Sequence, residues 1–264
     1  MLTIHVFRRL FLRFIKILSY NNTLQEAKQG RSSAQCLVGD MHLYGVGTSQ
    51  DYAQALSWYR KAAFQGDAFA QGSLGWMYDQ GYGVKRDILE AIKWYKQAAT
   101  QGHTTSQYNL GHLYANGDDV IKDIKAACYW YELAAHQGHA SAQYNLAYLY
   151  FYGEGVEQNL SEAFKWCCKS AEQGDSYGQS FLGLMYEEGR GVLRDYFLAL
   201  KWYELAAEQG NVNAQYNLAQ MYAQGLGGTQ DFTVAYEWAN KAVDNGDSLA
   251  ILLRDFCAYK IGKK

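Results

Sequence analysis

The 264-residue sequence contains no proline, although average usage of about 5% would give roughly thirteen. This absence excludes proline-rich linkers, PxxP ligand segments and cis-proline turns. Because proline breaks helices, its absence also permits long runs of uninterrupted helix. With 49% hydrophobic and 19% charged residues, the composition is typical of neither a disordered chain nor a membrane bundle. The chain is therefore expected to bury a sizeable core.

An excess of charge of either sign is also missing. The formal net charge is −2, from 24 Lys and Arg against 26 Asp and Glu. Because non-specific nucleic-acid binding needs a clustered basic surface, we expect no nucleic-acid partner. No run reaches the ~18 apolar residues that a transmembrane helix requires.

Cysteine motifs for metal or redox chemistry are absent, because no CxxC occurs. The cysteines are Cys36, Cys128, Cys167, Cys168 and Cys257. An odd number cannot pair fully within one chain, and a disulfide between adjacent cysteines is strained. We therefore interpret them as reduced core residues, which favours a reducing compartment, and we expect the protein to be cytoplasmic.

The first 20 residues have the pattern of a basic amphipathic helix. One face of the helical wheel carries Phe7, Leu10, Phe11, Phe14, Ile17 and Leu18. The opposite arc carries Arg8, Arg9, Arg13 and Lys16. Three interpretations remain open: a helix that caps the first repeat, a membrane-surface or targeting helix, and a wrongly assigned start site. The amphipathic pattern therefore leaves a membrane-associated or targeted location open beside the cytoplasmic one.

Three residue types recur with a period of 36 residues. The glycines are Gly30, Gly66, Gly102, Gly138, Gly174, Gly210 and Gly246. The tryptophans are Trp58, Trp94, Trp130, Trp166, Trp202 and Trp238. A third column holds Asp51, Asp87, Asp123, Asn159, Asp195 and Asp231. We therefore divide the chain into the repeats 31–66, 67–102, 103–138, 139–174, 175–210 and 211–246, with degenerate half-repeats at 1–30 and 247–264.

Each repeat predicts two helices, here called A and B. In the second repeat, Ala70, Leu74 and Met77 recur at helical spacing and form the apolar stripe of helix A. Asp87 is an N-cap for helix B, whose buried face includes Trp94. Gly102 stands where the terminal glycine of a helix belongs. One such pair of helices cannot bury its apolar face alone, so the repeats must stack into an all-α solenoid, a right-handed superhelix.

The repeat resembles a known family. The pattern A-x-x-x-L-G-x-x-Y-x-x-G-x-G-V-x-x-D-x-x-x-A-x-x-W-Y-x-x-A-A-x-x-G stands almost intact at 70–102 and recurs at 214–246. It is similar to the Sel1-like repeats, relatives of the tetratricopeptide superfamily. Local departures are Asp119 for a loop glycine, Cys167 for the tyrosine after tryptophan and His42 for another tyrosine. The resemblance implies a scaffold or adaptor of protein complexes, often bacterial.

The exposed side of helix A is the candidate binding face. The wheel assigns the columns of residues 36, 40 and 43 to it, flanked by 37 and 44, and such solenoids tend to line their concave surface with helix A. The candidate residues are Trp76, Tyr108, Asn109, His112, Tyr144, Asn145, Tyr148, Phe151, Tyr152, Phe181, Tyr216 and Asn217. Aromatic side chains are favoured binding anchors, and an asparagine ladder could pair with a peptide backbone. The Tyr-Asn pairs could equally be packing residues of the repeat.

We expect one protein or peptide partner and a monomeric chain. Glu187 and Glu188 lie toward one end of the candidate face and suit a partner that is basic at one terminus. The partner's identity does not follow from the repeat.

Catalytic motifs are scarce. The sequence has no HExxH, no GxSxG and no P-loop, and no serine is followed by lysine three residues later. His103, His136 and His139 could bind a metal only if they converged, and exposed histidines are far commoner. We therefore predict no enzyme, no catalytic residues, no metal and no cofactor. The alternative is a binder or hydrolase of small cell-wall-like ligands, which the resemblance implies through relatives linked to penicillin binding and β-lactam hydrolysis.

Overall fold

The computed structural model describes residues 18–117 and 120–263, and these residues form helices joined by short turns, with no strand among them. The helices are α1 (residues 18–28), α2 (Ser32–Tyr44), α3 (Tyr52–Ala63), α4 (Ala68–Gln80), α5 (Ile88–Thr100), α6 (Thr104–Asn116), α7 (Ile124–His136), α8 (Ala140–Tyr152), α9 (Leu160–Glu172), α10 (Ser176–Glu188), α11 (Tyr196–Glu208), α12 (Val212–Gln224), α13 (Phe232–Asp244) and α14 (Ala250–Lys260). The even-numbered helices α2 to α12 are the predicted helices A, and α3 to α13 are the helices B.

The chain divides into two compact units, one up to Trp130 and one from Tyr131 onward. Within the first unit, helices α2 to α6 each pack against the next, and α4 also contacts α6. Within the second unit, helices α8 to α14 pack in the same way, and α8 also contacts α10. Within each unit, these helices are thus covered by their neighbours along the chain, which is the local packing that repeats of this kind require.

The helix ends follow the sequence signals. The predicted N-caps of the helices B all accept a hydrogen bond from a backbone N–H of the first turn; they are Asp51, Asp87, Asp123, Asn159, Asp195 and Asp231. Helix A of the second repeat ends at Gly81, whose φ of 75° favours glycine. Gly83 has φ 67°, and a Cβ there would lie 2.6 Å from the Tyr52 carbonyl oxygen. Gly81 therefore allows the turn at the end of helix A, and Gly83 allows the loop to approach the backbone of the preceding repeat closely.

The tryptophan column belongs to the core, as predicted, but it is not uniformly buried. Trp58, Trp94 and Trp166 are buried, whereas the other three tryptophans keep part of their surface. Three of the six rings carry the ammonium group of a lysine one turn later, at 3.8–4.0 Å from the ring centroid: Lys61 on Trp58, Lys169 on Trp166 and Lys241 on Trp238. In these three repeats, a cation–π contact between the lysine and the tryptophan thus covers one face of the ring.

A glycine in helix A makes room for the tyrosine that follows the tryptophan in helix B. A Cβ on Gly75 would lie 2.5 Å from the ring of Tyr95. The pairs Gly39–Tyr59 and Gly183–Tyr203 have the same relation. Where helix B has a smaller residue instead, helix A has alanine: Ala147 matches Cys167 and Ala219 matches Ala239. Within a repeat, a smaller residue in helix A thus accompanies a larger residue at the facing position of helix B.

A ladder of buried glutamines joins successive repeats. Its members are Gln35, Gln71, Gln107, Gln143, Gln179 and Gln215, one in each helix A. Each side-chain amide donates to the backbone carbonyl eight residues earlier, at 3.0–3.3 Å. The Gln71 Oε1 also accepts a 2.7 Å hydrogen bond from Gln101, thirty residues later. The equivalent bond recurs from Gln65, Gln173, Gln209 and Asn245.

The N-terminal prediction and the two loop aspartates fall outside the described residues. Residues 1–17, which carry most of the amphipathic pattern, and Asp118 and Asp119 are not described. None of the described helices has both the length and the apolar composition needed to cross a membrane.

Candidate partner-binding site

Three successive helices A of the second unit, α8, α10 and α12, surround a cavity of about 330 Å³. Six of the predicted site residues line it: Tyr144, Tyr148, Tyr152, Phe181, Tyr216 and Asn217. They come together because residues 36 apart occupy the same position on neighbouring helices A. Residues at equivalent positions of successive repeats thus lie side by side and form one wall of the cavity.

The rings of the cavity form a connected aromatic cluster. Tyr148 packs against Tyr152 with ring centroids 4.5 Å apart, and against Phe181 at 6.0 Å. Tyr144 contacts Phe181 edge to face at 5.9 Å and lies 5.7 Å from Tyr177. Tyr148, Tyr152 and Tyr177 are 37%, 46% and 59% exposed. The cluster is therefore packed at its base and open to solvent at its rim.

Phe151 is a correction to the predicted face. It is fully buried and so is not available to a partner. Its ring packs at 4.9 Å against Phe181, and the Arg190 guanidinium lies 3.8 Å from its centroid. The column of residue 43 turns toward the core, as Leu43 also shows with 5% exposure. Phe181 is itself largely buried and forms the floor of the cavity.

Two of the predicted asparagines pair with buried tyrosines of the preceding repeat. Asn109 lies close enough to the Tyr95 hydroxyl, and Asn217 to the Tyr203 hydroxyl, to lower the pKa of that tyrosine against the larger effect of burial. The Tyr203 hydroxyl donates in turn to Glu187 at 2.8 Å. Burial, followed by the charge of Glu187, raises the pKa of Tyr203 well above its usual range. Both asparagines thus lie next to a buried tyrosine of the preceding repeat, and Asn217 also lines the cavity.

Between the fourth and fifth repeats, apolar residues replace this polar network. Cys167 stands in place of the tyrosine, and Phe151 and Phe181 stand in place of the acidic residue and the asparagine. The Cys167 thiol donates to the Gly178 carbonyl at 3.3 Å. Because cysteine is much smaller than tyrosine, its replacement leaves room that the two phenylalanine rings occupy. The aromatic floor of the cavity therefore depends on the departure at position 167.

The Tyr144 and Tyr148 hydroxyls stay protonated at neutral pH. Burial, then the charges of Tyr148 and Asp175, raises the pKa of Tyr144 to about 12. Burial, then Glu154, also raises the pKa of Tyr148. Asp247 is the one residue with a formal charge among the described residues that line the cavity. The surface is thus aromatic and polar, with negative charge at its margin.

Three of the four predicted site residues of the first unit take part in two ring pairs. Trp76 packs against Tyr82 with centroids 4.9 Å apart. Tyr108 lies 6.2 Å from His112, and Asn116 also contacts the His112 ring, at 3.1 Å. Trp76 is half-buried and His112 exposed. In this unit the predicted face is less aromatic than in the second.

Part of each unit's surface is not predicted by the sequence. Tyr177 and Asn213 line the cavity from a column one turn before the predicted one, and Tyr177 lies four residues before Phe181. Extending the helical stripe by one turn would have found both. The first unit also has an apolar hollow of about 890 Å³, beside the exposed Leu89 and Ile121, between α5, α6 and the loop that follows α6.

The three histidines considered as metal ligands have separate local roles. The His103 Nδ1 contacts the Ser106 hydroxyl at 2.8 Å, and His139 caps α8 through the Ala142 N–H at 3.3 Å. His136 packs edge to face on Trp166 at 4.9 Å. No cluster of three His, Cys, Asp or Glu side chains suited to a metal occurs in the described part of the chain.

The six repeats match a known family of repeats. The family model described as Sel1 repeat matches residues 32–67, 68–103, 104–139, 140–175, 176–211 and 212–247. A search of curated proteins gives no match.

Two solved structures are similar over most of this chain. One is c5321, a protective antigen present in uropathogenic Escherichia coli strains and displaying an SLR fold, with 37% identity and a TM-score of 0.81. The match covers 88% of this chain and 50% of c5321, so this chain spans half the length of that protein. The other is a Sel1 repeat protein from Oxalobacter formigenes, with 34% identity, a TM-score of 0.78 and coverage of 87% and 89%.

Proposed function

Because this chain belongs to the Sel1 repeat family, we propose that it is a non-catalytic scaffold that binds a protein or peptide segment through the aromatic cavity of residues 144–249. Proteins of this family generally act as protein-interaction scaffolds and are typically non-catalytic. The cavity supports the proposal because it places partly exposed tyrosines side by side on rigid helices. Tyrosine supplies a large contact area with little loss of side-chain entropy, which suits a binding surface.

The observation that carries this proposal is the incomplete burial of the tyrosine rings. Tyr148, Tyr152 and Tyr177 keep between 37% and 59% of their surface exposed although they are next to a packed floor. Contiguous exposed aromatic surface next to a cavity is characteristic of interaction sites.

The alternative of a hydrolase finds no support in the chemistry of the cavity. Ser180 is the one serine among the described lining residues, and that lining contains neither histidine nor lysine to activate it. A nucleophilic serine needs an adjacent base. Turnover of nitrocefin by the pure protein above the buffer rate would contradict the non-catalytic proposal.

We also propose a reducing, cytoplasmic location and a monomeric state. All five cysteines are free, and Cys128, Cys167 and Cys257 are buried. Burial raises the pKa of the Cys168 thiol to about 11, which makes it a weak nucleophile. Cell fractionation and light scattering of the full chain test these two points.

The test of the binding proposal is partner capture with surface variants. The variant Tyr148→Ala/Tyr177→Ala removes two partly exposed rings of the cavity, and we expect it to lose the partners that the unaltered protein retains. The matched control is Tyr44→Ala/Tyr259→Ala, since these tyrosines are 70% and 79% exposed and do not line the cavity. Both variants must unfold at the same temperature as the original protein. Partners that survive the first variant would assign binding to another surface.

A further inference from the structure

The aromatic cavity combines ring faces with negative charge. Asp247 lines the cavity and forms no ion pair with another described residue. The carboxylate of Glu154 lies near Tyr148 and that of Asp175 near Tyr144, and each raises the pKa of its tyrosine. None of the described lining residues is basic. Such a surface attracts a cation, because ring faces and carboxylates both favour positive charge.

We propose that this cavity binds an arginine side chain of the partner protein, with the guanidinium against the tyrosine rings and Asp247 as its counter-ion. The inference rests on the proposed function, since it names the group that the scaffold would recognise. The volume of about 330 Å³ is near the lower end of the range for ligand pockets, and it suits one long side chain rather than a folded surface.

Arginine fits this lining better than lysine does. Its guanidinium is planar, stacks on aromatic rings and is more weakly hydrated than an ammonium group. It carries five N–H donors, and the Asp247 carboxylate, the Ser180 hydroxyl and the tyrosine hydroxyls offer acceptors. The same aromatic cluster already holds an arginine of this chain, since Arg190 lies 3.8 Å from the Phe151 ring centroid and 3.6 Å from Glu188.

An apolar anchor fits less well. A leucine or phenylalanine in the cavity would take the Asp247 carboxylate and the tyrosine hydroxyls out of water without giving them a partner. An arginine would neutralise the carboxylate and fill the same volume. The charge of the lining therefore favours a basic anchor.

The experiment uses four blocked amino acids and the full chain with ¹³C-labelled tyrosine rings. The probes are the N-acetyl, N-methylamide derivatives of arginine, lysine, leucine and citrulline, which is the uncharged isostere of arginine. Titration is followed by NMR on the ring signals of Tyr148 and Tyr177, identified by their loss in single Tyr→Leu variants. Tyr44, outside the cavity, is the internal reference.

We expect the arginine derivative to shift the Tyr148 and Tyr177 signals in a saturable way and to bind about fivefold or more tightly than citrulline. Asp247→Asn should weaken arginine binding severalfold and leave citrulline binding unchanged. This variant keeps the side-chain oxygen that accepts from the Leu249 N–H at 2.8 Å, so the turn before α14 retains its hydrogen bond. Tyr148→Leu should weaken arginine binding as well, read on Tyr177.

Equal shifts by arginine and citrulline, or by arginine and leucine, would overturn the role of charge. Equal shifts by lysine would overturn the choice of arginine. No shift up to about 50 mM arginine derivative would overturn the inference as a whole. If the inference fails in any of these ways while the Tyr148→Ala/Tyr177→Ala variant still loses its partners, the proposed function stands and the anchor is of another kind. If that variant keeps its partners, the proposed function itself fails.

Discussion

The glutamine ladder makes a quantitative prediction about how the repeats are joined. Gln71 is 4% exposed, donates to the Ala63 carbonyl at 3.2 Å and accepts from Gln101 at 2.7 Å. Gln71→Leu keeps a side chain of similar volume and removes both hydrogen bonds. A typical intramolecular hydrogen bond contributes about 1 kcal/mol net. We therefore expect the free energy of unfolding to fall by about 2 kcal/mol.

This value assumes that the former partners of Gln71 keep another hydrogen bond in the variant. The Ala63 carbonyl still accepts from the Gly66 N–H at 2.9 Å, and the Gln101 amide still reaches the Gln97 carbonyl at 3.3 Å. Neither group is left without a partner, so the larger penalty of an unsatisfied buried group does not apply. Gln101→Leu removes one of the two bonds and leaves the buried Oε1 of Gln71 without this donor, so it should cost about 1–3 kcal/mol.

The assay is equilibrium unfolding in guanidinium chloride, followed by circular dichroism and tryptophan fluorescence. Coincident transitions are required before a free energy is assigned. Gln71→Leu, Gln101→Leu and the double variant form a cycle in which the coupling should be about 1–3 kcal/mol, because the double variant no longer leaves the Gln71 oxygen unsatisfied. A loss below about 0.5 kcal/mol in Gln71→Leu, or a coupling near zero, would refute the view that this ladder holds adjacent repeats together.

Three further predictions concern packing and pH. Gly75→Ala should reduce the free energy of unfolding by about 1–3 kcal/mol, because its Cβ would overlap the Tyr95 ring; chemical denaturation measures this, and a neutral effect would contradict the close packing. Cys167→Tyr should cost a similar amount, and Ala147→Gly in the same chain should recover part of it, whereas a stabilised single variant would argue against size compensation. Burial lowers the pKa of His139 below 6.5, so protonation favours the unfolded chain and stability should fall as the pH drops below that value. His139→Asn keeps a cap on α8 and should weaken this dependence in urea titrations at pH 7.5 and 5, whereas an unchanged slope would assign it to other groups such as His103, whose pKa burial also lowers.

The family and the fold class follow from the sequence because they rest on periodicity. The 36-residue spacing of glycine, tryptophan and aspartate fixes the helix ends and the buried stripe in every repeat, and the prediction of all-α Sel1-like repeats is confirmed. The predicted N-caps at Asp51 and Asp87 are confirmed as well. These features depend on residues that are close in sequence, and the same residues recur in each repeat.

The site was predicted less completely because it depends on which side chains meet between helices. The helical wheel placed Phe151 on the open face, although the structure buries it. It also could not separate ligand binding from packing for Asn217, which lines the cavity and lies next to Tyr203 of the preceding repeat. The wheel describes one helix at a time and contains no information about the neighbour that covers it.

The sequence by itself determined the repeat, its helices and the aromatic character of the helix A face. Only the tertiary structure decided which aromatics remain exposed, because exposure depends on the volume of residues far along the chain. The small Cys167 leaves room for Phe181 to form a floor, and Tyr148 and Tyr177 lie above it with open rims. Asp247 joins the same cavity from the start of the last helical segment, a position that no column of helix A includes. A binding surface built across repeats is thus a property of packing, which periodicity alone does not specify.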